Sequence, residues 1–233
     1  MKNLIVLLLI SPLFFNAQFR IDYKVAKIQN SRKISLNIDI INESSDKYII
    51  PLDTTGFRVY YRDEPCKNFF YGGADVGLGL TLLFDDNGKY IDGQSSGGYL
   101  SPDLSDLENE KLNNYKKSLN YWKKKYHLKI DSVAEKNKYL FENLISIAPK
   151  HVFHIKKIID PNRFNDDERL LLFNTYYLQP EKVYKISISH CIDKSIYDNL
   201  TKEQKIMLKG YKFFTGTFFS KETEYSFSKE DDL

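Results

Sequence analysis

Arginine is scarce in this 233-residue chain, with 6 residues against 28 lysines. Arginine supplies the bidentate fork that grips phosphates and base edges, so its scarcity speaks against nucleic-acid recognition. The formal net charge is only +3, too small for a strong attracting field around the whole molecule. Long apolar runs are also missing. After residue 17 the longest charge-free apolar stretch covers residues 76–84, far short of the roughly 20 residues a spanning helix needs. There is no internal repeat and no low-complexity tract. Tryptophan occurs once and cysteine twice. What remains is 42% hydrophobic, 28% charged and 15% aromatic. That composition excludes disorder, collagen and a multi-span membrane protein, and it suffices for a sizeable core.

The first residues carry a leader pattern. Lys2 precedes an uncharged apolar run over residues 4–15, and Asn16-Ala17-Gln18 offers a cleavage point after Ala17. The run contains Pro12 and is too short to span a bilayer about 30 Å thick. The expectation is a signal peptide over residues 1–17 and a periplasmic or secreted protein with no transmembrane segment after signal removal. An oxidising compartment permits Cys66 and Cys191 to form a disulfide; two separate buried thiols are the alternative.

Period-two alternation marks strands near both ends. Ile34, Leu36, Ile38 and Ile40 alternate with Ser35, Asn37 and Asp39, which predicts a strand with one wet face. Phe19, Ile21, Tyr23 and Val25 alternate before it. Asn42-Glu43-Ser44-Ser45-Asp46 is a turn cluster, followed by Tyr48-Ile49-Ile50. Further strands are expected over 57–61, 78–84, 152–155, 170–177, 183–189, 211–219 and 225–227. Asn87-Gly88 predicts a hairpin turn between residues 80–84 and 89–91.

The middle of the chain has another period. Leu112, Tyr115, Leu119, Trp122 and Tyr126 are spaced three and four apart, and Val133, Leu140, Phe141 and Leu144 continue a helical stripe to Ile145. Two helices with a break near 129–131 are expected, opened by capping boxes at Ser105-x-x-Glu108 and Ser132-x-x-Glu135. A short helix over 202–209 is capped by Thr201 and Gln204 and closed by Gly210. Strands, a helical block, then strands again make the chain mainly β, or α+β overall. The expected architecture is one β-sandwich-like domain over residues 18–233, with a helical insertion at 103–148 and strands from both ends completing one body. A separate helical domain is the alternative.

Candidate sites are few. Of 11 glycines, 8 lie between Gly72 and Gly98, where loops form a possible binding rim around Tyr71, Asp92, Ser95 and Tyr99. Gly93-Gln94-Ser95-Ser96-Gly97 matches the hydrolase pattern G-x-S-x-G, and Asp160 and His190 follow in the required order. Gly97, Gly98 and Pro102 leave no room for the helix that an elbow demands, so no catalytic residue is assigned. His151-x-x-His154 with His190-Cys191 resembles a metal set, yet strand positions three apart face opposite sides. Asp85-x-Asn87 followed by Asp92 lacks the glycine and glutamate of a calcium loop. No metal and no cofactor are expected. Lys116, Lys117, Lys123, Lys124 and Lys125 form either a solvated helix surface or a face for an acidic partner or anionic envelope.

The leader, the run Ile34-x-Leu36-x-Ile38-x-Ile40-x-Asn42-x-Ser44 into Tyr48-Ile49-Ile50-Pro51, and the closing Gly216-Thr217-x-x-Ser220 resemble the exported β-sandwich proteins of Gram-negative bacteria. They look like the opening and final strands of an immunoglobulin-like domain, over about half the chain. That resemblance implies an immunoglobulin-like sandwich and no catalytic residues. The functional expectation is an exported binding or interaction protein without catalysis, whose partner is a cell-envelope protein or other envelope component. The alternatives are a hydrolase using the loops at 72–98 and a barrel-type carrier of an apolar ligand.

Overall fold

The computed structural model describes residues 18–29, 31–62, 66, 77–96, 105–167 and 172–228. The expected signal peptide at 1–17 and the candidates Tyr71 and Tyr99 lie outside the described residues. The described structure is mainly β, with 40% strand and 22% helix. In chain order the strands are β1 (Phe19–Lys27), β2 (Ile34–Asn42), β3 (Tyr48–Pro51), β4 (Phe57–Arg58), β5 (Leu80–Asp85), β6 (Gln94–Ser96), β7 (Leu144–Ile147), β8 (Val152–Ile159), β9 (Phe164–Asp167), β10 (Leu172–Thr175), β11 (Tyr184–Ile192), β12 (Lys212–Phe213), β13 (Gly216–Phe219) and β14 (Thr223–Tyr225). The helices are α1 (Ser105–Lys125), α2 (Asp131–Glu142), a 3-10 helix (Lys194–Asn199) and α3 (Lys202–Met207).

Alternation dictates the first sheet, β1-β2-β8. Ile34, Leu36, Ile38 and Ile40 are buried while Ser35, Asn37 and Asp39 face outward, and Ile38 sits in register with Tyr23 and Ile155. A second sheet, β13-β11-β5-β4, has β11 and β5 at its centre. Both are buried nearly throughout; β5 is correspondingly a near-continuous apolar run, whereas β11 alternates and buries Ser187, Ser189 and His190 among its apolar residues. Two smaller sheets, β12-β3-β7 and β6-β10-β9, complete the β structure among the described residues. All four sheets contribute side chains to one apolar cluster.

The two ends of the described chain meet. Ile21 bridges Ser220, and the Tyr23 hydroxyl donates to the Ile186 carbonyl at 2.5 Å. The Phe19 ring lies 5.2 Å from Phe214 and 5.7 Å from Phe218, within the range of favourable aromatic pairing. The hairpin after β5 forms at Asn87 (φ 56) and Gly88 (φ 86), the two positive angles that a twisted two-residue turn requires.

Several elements differ from the sequence expectation. Leu144 and Ile145 do not prolong α2. They open β7 and pair with Pro51 and Ile50, because β3 offers a ladder to a segment that includes the β-branched Ile145 and Ile147, which a helix end cannot match. The Ser132 capping box is absent: α2 starts at Asp131 behind Ile130, which has no capping side chain. Ser105 lies inside α1 rather than before it. The strand expected over 57–61 shortens to Phe57–Arg58. The closing strand over 211–219 splits, with β12 joining β3 and β13 joining β11. Gly216 makes the switch at φ 110, a conformation that a side chain would strain. No helix among the described residues is long and apolar enough to cross a membrane.

Candidate functional site

The sequence candidates that are described have structural partners. Asp92 accepts the Arg62 backbone N–H at 2.9 Å and pairs with its guanidinium at 3.3 Å. Ser95 lies in β6 opposite Asn174 of β10, in ordinary antiparallel register. Gly93 is a packing spacer, since a Cβ there would lie 2.3 Å from the Cβ of Val59. Asp160 faces Arg32 at 3.5 Å and accepts from the Asn162 N–H at 2.9 Å. His151 contacts the Pro149 carbonyl at 2.9 Å and His154 contacts Asp39 at 2.7 Å, both exposed. Among the described residues no group of three or more His, Cys, Asp or Glu is arranged to hold a metal. Asp85 accepts the Gly88 N–H at 2.8 Å, so the calcium-like segment is a turn.

Cys66 and Cys191 are joined by a disulfide, with Cα atoms 5.1 Å apart, and the Thr217 hydroxyl approaches the Cys191 Sγ at 2.9 Å. The neighbouring His190 is buried, with Nε2 at 2.8 Å from the Pro51 carbonyl. Burial pushes its pKa from 6.5 down to about 4, against the pull of the Pro51 carbonyl and with the help of the buried Arg58. The folded ring is therefore neutral where the unfolded one is charged. Stability from the neutral ring is complete above pH 6.5, declines as pH falls from 6.5 to about 4, and levels off below. At about 1.4 kcal/mol per pH unit of difference, that is about 3 kcal/mol. In His190→Gln the loss of unfolding free energy between pH 7 and pH 4, measured in urea, is expected to be smaller than in the native protein by about that amount.

The helical layer is organised differently from the β core. Leu119 and Trp122 of α1 and Tyr126 directly after it are buried but lie outside the main apolar cluster; the Trp122 and Tyr126 rings each lie 5.9 Å from Phe141 of α2. Leu140, on α2, does enter the main cluster. Between the helices sits a buried amide pair. Trp122 Nε1–H donates to Asn137 Oδ1 at 2.8 Å, and Gln204 Nε2 donates to the same oxygen at 3.0 Å. Asn137 Nδ2 donates to the Asn199 carbonyl and to Gln204 Oε1, both at 2.6 Å. Gln204 also completes a reciprocal cap with Thr201. Asn137 and Gln204 are fully buried, so each unmade bond there would carry a desolvation cost. The sequence reading found Gln204 as a cap and passed over Asn137, whose signal is a polar residue at helical spacing between Ala134 and Leu140.

This network leaves one side of α1 facing water. Residues 111–130 contain seven lysines and no acidic residue. Lys117, Tyr121 and Lys124 stand at i, i+4 and i+7, on one side of the helix, opposite Leu119, Trp122 and Tyr126. Tyr121 is 67% exposed. It helps line a shallow groove of about 690 Å³ with Asn120, Lys123, Lys124 and Leu128. Lys123 pairs with Asp131, and Lys125 lies 5.1 Å from the Tyr126 ring centroid. Lys116, Lys117, Lys124 and Lys129 are exposed and have no ion-pair partner among the described residues. The outer face of β1-β2-β8 differs: it mixes Arg20, Asp22, Lys24, Asp39, His154 and Lys156, with Arg20–Asp22 and His154–Asp39 paired. No family model matches the chain, and no curated protein or solved structure matches it.

Proposed function

We propose that this is an exported binding protein without catalytic activity, in which a β body displays a lysine-bearing helix to a component of the cell envelope. The leader pattern at 1–17 supports export to the periplasm or beyond. An immunoglobulin-like sandwich over residues 18–233 is the reading of the scaffold. It draws support from two largely antiparallel sheets whose inner faces share one cluster, and from the meeting of β1 with the segment after β13. The region at 103–148 is then an insertion anchored through Leu140 and Asn137.

The observation that carries the functional reading is the solvent side of α1. From Lys111 on, α1 carries lysines and no acidic residue; around an exposed tyrosine and held by buried hydrogen bonds, that part of the helix is a rigid presentation of positive potential. The outer face of β1-β2-β8 carries both signs, with Arg20 paired to Asp22 and His154 to Asp39, and so offers a weaker net field. The experiment is chemical acetylation of lysines in the free protein and in protein bound to the envelope of the cells that make it. Protection at Lys116, Lys117, Lys124 and Lys129 supports the reading; protection elsewhere overturns it.

A further inference from the structure

Resting on that reading, we infer that the partner of α1 and of the residues directly after it is an anionic lipid surface, whose phosphate headgroups are met by Lys116, Lys117 and Lys124 of the helix, around Tyr121, and by Lys129 beyond it.

The first argument is what the lysines are not needed for. Cations near a helix C-terminus complement its dipole, but that effect fades within the last turn. Lys123, Lys124 and Lys125 occupy that turn of α1; Lys116 and Lys117 lie two turns earlier, where the dipole asks for nothing. Lys123 is spent on Asp131 and Lys125 on its aromatic neighbours. Lys116, Lys117, Lys124 and Lys129 are not paired within the described residues. Twenty consecutive residues without an acidic side chain forfeit the i, i+4 ion pairs that a solvated helix usually carries.

The second argument is the kind of charge and its shape. All the basic residues on α1 are lysines, hydrated point charges on flexible stems, rather than the planar forks that read a fixed carboxylate or phosphate geometry. The groove beside Tyr121 is shallow and open, so it offers no deep pocket to an anchoring side chain of a protein partner. A diffuse layer of negative charge suits such a face better than a stereospecific acidic epitope. A tyrosine, apolar in its ring and polar at its tip, takes the headgroup level of a membrane. No covalent step is involved. The helix lies on the surface and does not enter it, because its apolar side is occupied by α2.

The test is co-sedimentation of the disulfide-bonded full chain with vesicles of phosphatidylglycerol and phosphatidylcholine in equal parts, against phosphatidylcholine alone. Each lysine near an anionic surface strengthens binding roughly fivefold. The triple variant Lys117→Gln, Lys124→Gln, Lys129→Gln is therefore expected to bind anionic vesicles roughly 100-fold more weakly. The control triple Lys24→Gln, Lys156→Gln, Lys205→Gln, of the same net charge, is expected to retain binding within about threefold. Raising salt from about 0.01 M to about 1 M shortens the screening length roughly tenfold and should release the native protein. Unchanged Trp122 emission shows that the variants are folded. Equal loss in both triples, or no preference for anionic vesicles, overturns the inference. If the α1 triple loses binding to polyglutamate while vesicles bind neither protein, the partner is an acidic protein: the lipid inference fails and the envelope-binding reading stands. If neither vesicles nor the envelope footprint involves α1, both fail.

Discussion

Replacing Cys66 and Cys191 together with serine is expected to lower the unfolding free energy by about 4–5 kcal/mol. The bond closes a loop with a sequence separation of 125, so in the reduced chain the unfolded ensemble regains the entropy of a long open segment. It also fastens Cys66 to β11, the strand flanked by β5, β13 and β14. Losses of this size are a third or more of a typical domain's total stability. Urea unfolding of the oxidised native protein and the double serine variant measures the difference, and a rise in the slope with denaturant should accompany it as the unfolded state expands. Each single serine variant should lose about as much as the double, since either one removes the same bond. Equal midpoints for native and double variant would mean that the pairing contributes nothing to the folded chain.

Asn137→Ala is expected to cost about 3 kcal/mol or more. The change strands the Trp122 indole N–H, the Asn199 carbonyl and two atoms of Gln204 in a buried place, each worth about 1–3 kcal/mol when unmatched, with partial relief from local relaxation. Trp122 is the sole tryptophan, so its emission reports this site directly and should shift to the red as water replaces the amide. Gln204→Ala should give a similar loss, because it removes the partner amide and the cap with Thr201. The double variant should cost well below the sum, since each amide exists to satisfy the other. An Asn137→Ala protein within about 0.5 kcal/mol of native, with unchanged emission, would show that α1 and α2 are held by the aromatic contacts alone.

The sequence was most legible where one physical rule acted by itself. β2 alternates because a single face is wet, so Ile34 to Ile40 announced both the strand and its buried side. Asn87-Gly88 and Thr201-x-x-Gln204 are local chemistry, complete within four residues, and both appear as expected. Reading failed where tertiary partners decide. Nothing local marks Leu144 and Ile145 as strand; only β3, nearly a hundred residues earlier in the chain, makes them so. Phe213 and Phe214 read as continuous with Phe218, whereas Gly216 redirects the chain from one sheet to another. The candidate site divides the same way. The lysines of α1 stood out from composition, but their freedom from partners is a property of the folded surface. The Asn137–Gln204 pair joins side chains separated by 67 positions and leaves no periodic trace. The glycine-rich stretch attracted attention for its composition, yet Gly93 serves close packing against Val59, a need that a pattern of glycines does not distinguish from a binding loop.

The acetylation footprint of envelope-bound protein bears most directly on the central claim that α1 is the recognition face. Lys116, Lys117, Lys124 and Lys129 should be modified several-fold more slowly when bound, while Lys24 and Lys156 on the sheet react as they do in the free protein. Slowed reaction at Lys24 and Lys156 with α1 unaffected would place the contact on the β1-β2-β8 face and contradict the account.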